Sequence, residues 1–260
     1  GEPYFEAVFV PLMTPALFLM GVGPIARWRQ SPPIELVLKL KWAFAVSAIT
    51  AVIAPIVLRS WTPMIGFGFL VSAWIISSGI TQLVDRARIN PDRSWWQNLR
   101  IQPAGYYGML MAHFGVAVFI IGITAVRGFE TEQDVRMQVG GVSQSGGYDF
   151  QLVSLKTIAG PNYAAVQGHF DVSKNGKPVT SLYPEKRVYT ASQMPMTEAA
   201  IDSGITRDLY VSLGEPINEN EWSVRIYHKP FVDWIWGGCL LMALGGFLAI
   251  TDRRYRKKAT

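Results

Sequence analysis

The chain has 260 residues, of which 50% are hydrophobic and only 17% are charged, and its formal net charge is +5. Soluble domains carry about 25% charged residues, so this shortage of charge indicates membrane-spanning segments. Aromatic residues make up 12%, which excludes a disordered chain, and Cys239 is the single cysteine, which excludes a disulfide-stabilised scaffold.

Five apolar windows approach the length of about 20 residues that a membrane-spanning helix needs. They cover residues 5–25, 42–58, 64–83, 106–125 and 231–250. Pro11 and Pro15 lie inside the first window, where we expect a kink, because neighbouring helices can satisfy the carbonyl groups that proline frees. The second and third windows are separated by a few residues only and predict a tight helical hairpin.

Basic residues outside the windows predict the orientation in the membrane, because Lys and Arg concentrate on the cytoplasmic side. Arg59 is the only basic residue between the second and third windows, whereas basic residues concentrate in three other segments: Arg27, Arg29, Lys39 and Lys41; Arg86, Arg88, Arg93 and Arg100; Arg253, Arg254, Arg256, Lys257 and Lys258. We therefore expect these segments and the C-terminus inside, and the N-terminus and residues 126–230 outside. The outer segment has ten basic and twelve acidic residues, so the net positive charge reflects membrane topology and not nucleic-acid binding.

The start of the chain predicts a missing portion. Gly1 begins the sequence, and no basic segment precedes the first apolar window, so a signal peptide is not predicted. We expect that an outer N-terminus without an export signal follows further membrane spans, either in a longer chain or in a separate N-terminal chain.

Residues 126–230 change to an alternating, β-rich pattern. Strands are predicted at residues 149–157, 164–172, 186–190, 208–213 and 222–228. Asn175-Gly176 predicts a hairpin turn, and residues 194–204, which lack alternation, predict a short helical turn or loop. The expected organisation is four transmembrane helices in residues 1–125, a small antiparallel barrel or sandwich in 126–230, and a fifth helix with a basic tail in 231–260.

His113 is the strongest candidate for chemistry, because it lies in the middle of the fourth apolar window. An ionisable residue at that depth is costly and marks a functional site by default. A neutral imidazole there can ligate haem iron, and Gly108 and Gly115 would let a helix or a flat cofactor approach. The alternative is a histidine that hydrogen-bonds across a helix interface.

The remaining candidates have ordinary explanations. His169 and His228 are predicted as half-exposed strand residues, and Cys239 as a small residue in lipid. Four basic residues of the outer segment form either a cationic patch or solvated strand faces: Lys186, Arg187, Arg207 and Arg225. The sequence contains no zinc-protease, CxxC, P-loop or nucleophile-elbow motif.

Several stretches, in order along nearly the whole chain, carry a family resemblance. They are residues 3–5, 8–13, 21–24, 107–113, 183–187, 194–204, 207–211, 213–215, 229–231 and 252–255. In these stretches the chain resembles the CcmF-type cytochrome c haem lyase subunits of bacterial cytochrome c maturation, and specifically their C-terminal part.

The resemblance implies a multi-pass protein of the bacterial inner membrane that helps to attach haem to the CxxCH thiols of apocytochrome c in the periplasm. The implied partners are a periplasmic haem chaperone, apocytochrome c, a subunit that presents its thiols, and quinol as electron donor. The family holds a b-type haem between two transmembrane histidines, and His113 matches the second of them. The first histidine and the tryptophan-rich haem-handling segment belong to the N-terminal half, so this chain is expected to supply half of a haem site.

Two other functions fit the sequence. The first is a b-type electron-transfer subunit that oxidises quinol, which would also need an intramembrane histidine to bind haem. A non-catalytic membrane scaffold, with the outer domain docking periplasmic partners and His113 purely structural, is the second alternative.

Overall fold

The computed structural model describes residues 4–26, 32–58, 60–218 and 221–252. The chain divides into two compact units, one formed by Gly1–Thr124 with Trp234–Thr260 and the other by Ala125–Asp233. Some of the basic residues used for the orientation, Arg27, Arg29 and residues 253–258, lie outside the described residues.

The first unit is helical, and its long helices begin where the chain supplies suitable residues. Proline occupies the first turn of both helices of the predicted hairpin, where its missing N–H is not needed. Thr62 caps the second of them by accepting a hydrogen bond from the Ile65 amide at 3.2 Å. The helices are α1 Val10–Val22, preceded by a π-helical turn Phe5–Phe9, α2 Pro33–Val57, α3 Pro63–Ala87, α4 Trp95–Arg100, α5 Ala104–Phe129 and α6 Val232–Ile250.

Within the described part of the chain, four helices are long and apolar enough to cross a membrane, namely α2, α3, α5 and α6. The expectation of five such helices is not confirmed, because the first window forms only the shorter apolar helix Ala7–Val22. At 1.5 Å per residue this helix spans about 24 Å, less than the roughly 30 Å of a bilayer core. Its end coincides with Gly23, whose amide caps the helix by donating to Leu19 O at 2.7 Å.

Helix α3 is the centre of the helical unit. The indole of Trp74 stacks on Phe18 of α1 with ring centroids 5.0 Å apart, and its Nε1 donates to Phe18 O at 2.9 Å. On another side, Ser77 Oγ lies 3.2 Å from Ala43 O of α2. Ala117 of α5 joins the same buried cluster, so three helices pack around α3.

Helices α5 and α6 meet through glycines that recur every seven residues. Gly108, Gly115 and Gly122 share one face of α5, and Gly238 and Gly245 share one face of α6. The backbones are so close that a Cβ atom on Gly108 would lie 2.5 Å from Gly245 O, and one on Gly115 would lie 2.8 Å from Gly238 O. Small residues permit this approach in membrane proteins, and the contact fixes which side of α5 is covered.

The second unit is a β-sandwich of two antiparallel sheets. One sheet has the order β1-β10-β9-β8, and the other has the order β2-β3-β4-β6-β7, with β5 also paired to β4. Large side chains from both sheets, including Phe150, Phe170, Leu209 and Leu213, are fully buried between them. The strands are β1 Thr131–Gln138, β2 Val142–Ser145, β3 Tyr148–Ala159, β4 Tyr163–Lys174, β5 Lys177–Leu182, β6 Glu185–Tyr189, β7 Pro195–Glu198, β8 Ala200–Asp202, β9 Arg207–Pro216 and β10 Glu221–Pro230.

The predicted hairpin at Asn175-Gly176 is confirmed. Both residues have positive φ, 52° and 73°, and Lys174 pairs with Lys177 across the turn. This is the backbone shape that matches the twist of the flanking strands.

The prediction of a helical turn or loop for residues 194–204 is wrong. This stretch contains β7, which pairs with β6, and the three-residue strand β8, which pairs with β9. Both are short strands at sheet edges, and neither contains a buried side chain. An alternating sequence pattern indicates a strand only when one face of the strand is buried, and these edge strands have no buried face.

Candidate functional site

His113 lies near the middle of α5, on a side of the helix that α6 does not cover. The imidazole is half-buried and makes no hydrogen bond to any described residue. Tyr106 and Met109 precede it by seven and four residues, which places all three on one face of the helix. An unshared imidazole nitrogen on an apolar helix is what an axial haem ligand requires.

The glycines beside His113 serve the packing of helices and not the approach of a cofactor. Gly108 and Gly115 both contact α6, as described above. On a different side of α5, Leu110 and Phe114 contact Gly79 of α3. Two sides of α5 are therefore occupied by neighbouring helices, and the His113 face lies between them.

A cavity of about 990 Å³ adjoins the same face of α5. Apolar groups form much of its wall, and Gln82, Arg86 and Tyr106 supply polar side chains. Gln82 Nε2 donates to Pro24 O at 3.1 Å, and the Arg86 guanidinium carbon lies 5.5 Å from the centroid of the Tyr106 ring. The lining residues are Pro24, Gln82, Arg86, Gln102, Pro103, Gly105, Tyr106, Met109, Ala249 and Ile250.

The donor groups near His113 fit haem better than an isolated metal ion. Among the described residues, no three His, Cys, Asp or Glu side chains lie close enough together to hold a metal ion. Iron bound at His113 would therefore take its other ligands from outside this set of residues, as haem iron does from its porphyrin. An apolar helix face with one free imidazole suits that arrangement.

Comparison with known proteins decides the family. The family described as CcmF C-terminal β-sandwich matches residues 128–230. The cytochrome c-type biogenesis protein CcmF of Pseudomonas aeruginosa is 42% identical over 99% of this chain, and that of Escherichia coli K12 is 39% identical over 100% of it. Residues 128–230 therefore belong to this sandwich family, and nearly the whole chain matches the C-terminal part of the CcmF proteins.

The CcmF-type chain spans about two fifths of the length of these relatives, 39% in both cases. The protein NrfE of Haemophilus influenzae, also named for cytochrome c-type biogenesis, is 30% identical over 99% of the chain. A solved structure titled Cytochrome c Heme Lyase CcmF superposes on 97% of this chain with a TM-score of 0.76 and 20% identity. The superposed part is 41% of the chain in that solved structure. The fold is therefore that of CcmF, and with its four apolar helices the chain is a membrane protein.

In the CcmF-type sandwich, His169 has ordinary surroundings. Its ring stacks on Tyr183 with centroids 4.8 Å apart, and its Nε2 lies 3.1 Å from Asp171 Oδ1 without hydrogen-bond geometry. The side chain is partly exposed on strand β4. Nothing in this arrangement indicates a ligand role.

His228 is more enclosed. Its ring stacks on Tyr148 at 5.7 Å and lies directly under the turn at Gly146, whose Cβ, if it had one, would collide with the imidazole. Burial, with additional repulsion from Lys174 and Arg207, holds the pKa of His228 below its ordinary value. The imidazole is therefore neutral at pH 7 and packs as part of the sandwich.

The four basic residues considered as a cationic patch are each paired with a carboxylate. The pairs and their N–O distances are Lys186–Glu215 at 2.8 Å, Arg187–Glu185 at 2.7 Å, Arg207–Asp202 at 2.6 Å and Arg225–Asp134 at 2.7 Å. Because every charge has a partner, these residues do not form an open patch for anions.

Sequence reasoning missed Arg86 and Tyr106 as members of a site. In the sequence, Arg86 fits the positive-inside rule, and Tyr106 fits the aromatic residues that are common at a membrane surface. The available signal was the spacing of seven residues between Tyr106 and His113, which puts both on one face. The approach of Arg86 to Tyr106 depends on the packing of α3 against α5.

Proposed function

We propose that this chain is the C-terminal portion of a membrane haem lyase of cytochrome c maturation, and that His113 supplies one axial ligand of a b-type haem inside the membrane. The observation that carries the proposal is the half-buried imidazole of His113, on an apolar helix and without a hydrogen bond to a described residue. The relatives named for cytochrome c biogenesis, and the solved structure titled a haem lyase, support it.

The proposed topology follows the positive-inside rule. The sandwich lies in the periplasm between α5 and α6, and the C-terminal tail lies in the cytoplasm of a bacterial cell with the protein in its inner membrane. Residues 5–25 form a fifth, shorter crossing that puts the start of this chain outside. The placement of the sandwich does not depend on that crossing, since α5 and α6 flank it directly.

In the proposed reaction, each cysteine thiol of the CxxCH segment adds across a haem vinyl group. A carbon–sulfur bond forms, the vinyl double bond becomes single, and the thiol proton ends on the neighbouring vinyl carbon, so the addition requires no net oxidation or reduction. This chain contributes the sandwich on the periplasmic side, where the haem chaperone, the apocytochrome and its thiol-presenting subunit would meet. The remaining part of the relatives' length would supply the rest of the lyase.

The b-type haem, when bound, would supply one-electron transfer, with quinol as donor, to keep the substrate haem iron reduced. The role of this chain's residues is to hold that group in place. His113 would hold the iron, and the glycine contact of α5 with α6 fixes the helix that carries His113.

The test is the spectrum of the full-length protein complex with His113→Ala. We expect the Soret and α bands of b-type haem to disappear, because the axial ligand is lost. The matched control is His169→Ala, which removes an imidazole from the sandwich and should leave the bands intact. Unchanged bands in His113→Ala would refute the haem assignment, and a haem that stays oxidised with excess quinol without oxygen would refute the electron-transfer role.

A further inference from the structure

The cavity beside α5 contains a hydroxyl group that lacks a partner. The side chain of Tyr106 is only 8% exposed, and its OH makes no hydrogen bond to any described residue. A buried hydroxyl without a partner is costly, because it has given up its hydrogen bonds to water. A ligand group that accepts a hydrogen bond would remove that cost.

Arg86 brings a positive charge to the same place. Its guanidinium lies against the Tyr106 ring, and within the described residues it has no carboxylate partner. Asp252 is nearby in the fold, but its carboxylate accepts the Gly105 amide at 2.9 Å and does not line the cavity. The cavity therefore suits an anionic oxygen group.

The position of His113 identifies which anion. Tyr106, Met109 and His113 lie on one face of α5, and seven residues at 1.5 Å each separate Tyr106 from His113 by about 10 Å. This distance is comparable to that between the iron of haem and its propionate carboxylates. Met109, between the two, presents an apolar surface to a flat ring.

We propose that Arg86 and Tyr106, assisted by Gln82, bind the propionate carboxylates of the haem that His113 ligates. The inference rests on the proposed function, since it assumes haem at His113. The carboxylate accepts hydrogen bonds from the guanidinium and the phenol, and hydrogen bonds to a charged acceptor are about twice as strong as those between neutral groups. Apolar walls around the pair strengthen the attraction further.

The experiment measures the midpoint potential of the b-type haem in the full-length complex carrying Arg86→Met. A cation near the ring disfavours the ferric state, which carries one more positive charge than the ferrous state. Its removal should lower the ratio of reduced to oxidised haem at a fixed potential about tenfold, or about 59 mV for a one-electron couple. Arg86→Lys keeps the charge and should stay close to the wild type.

Two further variants complete the design. Tyr106→Phe removes one oxygen atom and should shift the potential in the same direction by less. The control is Arg88→Met, which removes an exposed guanidinium that lies over Trp95 at 5.0 Å and does not line the cavity. If Arg86→Met does not fold, the midpoint potential of Tyr106→Phe, compared with that of the wild type, tests the proposal.

Each outcome has one reading. A potential that is the same in Arg86→Met, Tyr106→Phe and Arg88→Met overturns the propionate site, while the loss of bands in His113→Ala still supports haem at His113. Bands that persist in His113→Ala overturn the proposed function itself. A phospholipid that co-purifies with the wild type and is lost from Arg86→Met, with an unchanged potential, assigns the cavity to a lipid headgroup and also overturns the propionate site.

Discussion

Replacing Gly115 by alanine should force α5 away from α6. A Cβ atom at this position would lie 2.7 Å from Met242 N and 2.8 Å from Gly238 O. Both are backbone atoms, so no rotation of a side chain relieves the overlap, and one helix must move. Overpacking of this kind costs about 1–3 kcal/mol.

The alanine also favours the helix itself, by about 1 kcal/mol relative to glycine. We therefore expect a net loss of about 0–2 kcal/mol in the free energy of unfolding, which makes Gly115→Ala about 1–3 kcal/mol less stable than a variant that gains the same helix propensity without overlap. The chain offers a matched control in Gly237→Ala, one residue from Gly238 in α6, where a Cβ atom would meet nothing within 4 Å. That variant gains the same helix propensity without overlap and should be neutral or stabilising.

The assay is unfolding of the full-length protein in detergent, followed together with the retention of haem. Gly115→Ala should unfold at a lower denaturant concentration than Gly237→Ala and should lose haem more readily, because His113 lies two residues away on the helix that moves. Equal unfolding midpoints for the two variants would show that the close contact of α5 with α6 does not exist in the membrane protein.

Three further predictions concern the sandwich, and hydrogen exchange of its strands in the full-length protein measures each of them. Phe170→Ala should cost about 3–5 kcal/mol, because the side chain is fully buried, whereas Val179→Ala, at a position 40% exposed, should change stability by about 0.5 kcal/mol or less; equal protection would contradict the core assignment. Because the pKa of His228 is lowered in the folded state, the unfolded chain binds the proton first, so stability should fall as the pH drops below about 6.5. His228→Gln should reduce that pH dependence, and an unchanged profile would refute this origin. Gly146→Ala should destabilise more than Gly147→Ala, since both have positive φ but only the first meets the His228 ring; the reverse order would contradict the stacking.

The long helices could be predicted from the sequence, but their ends could not. Hydropathy located the second window at residues 42–58, whereas α2 is Pro33–Val57. Its first two turns contain Glu35 and Lys39, which form an ion pair at 3.2 Å on the helix surface. A scale that measures transfer into lipid does not register such polar turns, although the helix continues through them.

The sequence predicted the candidate site only at His113, whose side chain is unusual in its apolar surroundings. His113 stands out because an ionisable side chain is costly in an apolar helix. Arg86 and Tyr106 do not stand out, since each has a common role at a membrane surface. Their association depends on the contact between α3 and α5, which no local pattern encodes.

The positions of the histidines in this chain indicate that the second axial histidine of a six-coordinate haem would come from outside the chain. The sequence has three histidines, and two of them belong to the sandwich, where His169 stacks on Tyr183 and His228 lies under a turn. Met109 could offer a thioether sulfur, but it lies on the same helix face as His113 and cannot reach the opposite side of a flat ring. A second histidine ligand of the proposed haem would therefore come from another chain or from the part of the relatives' length that this chain does not span, and haem binding would then depend on that assembly.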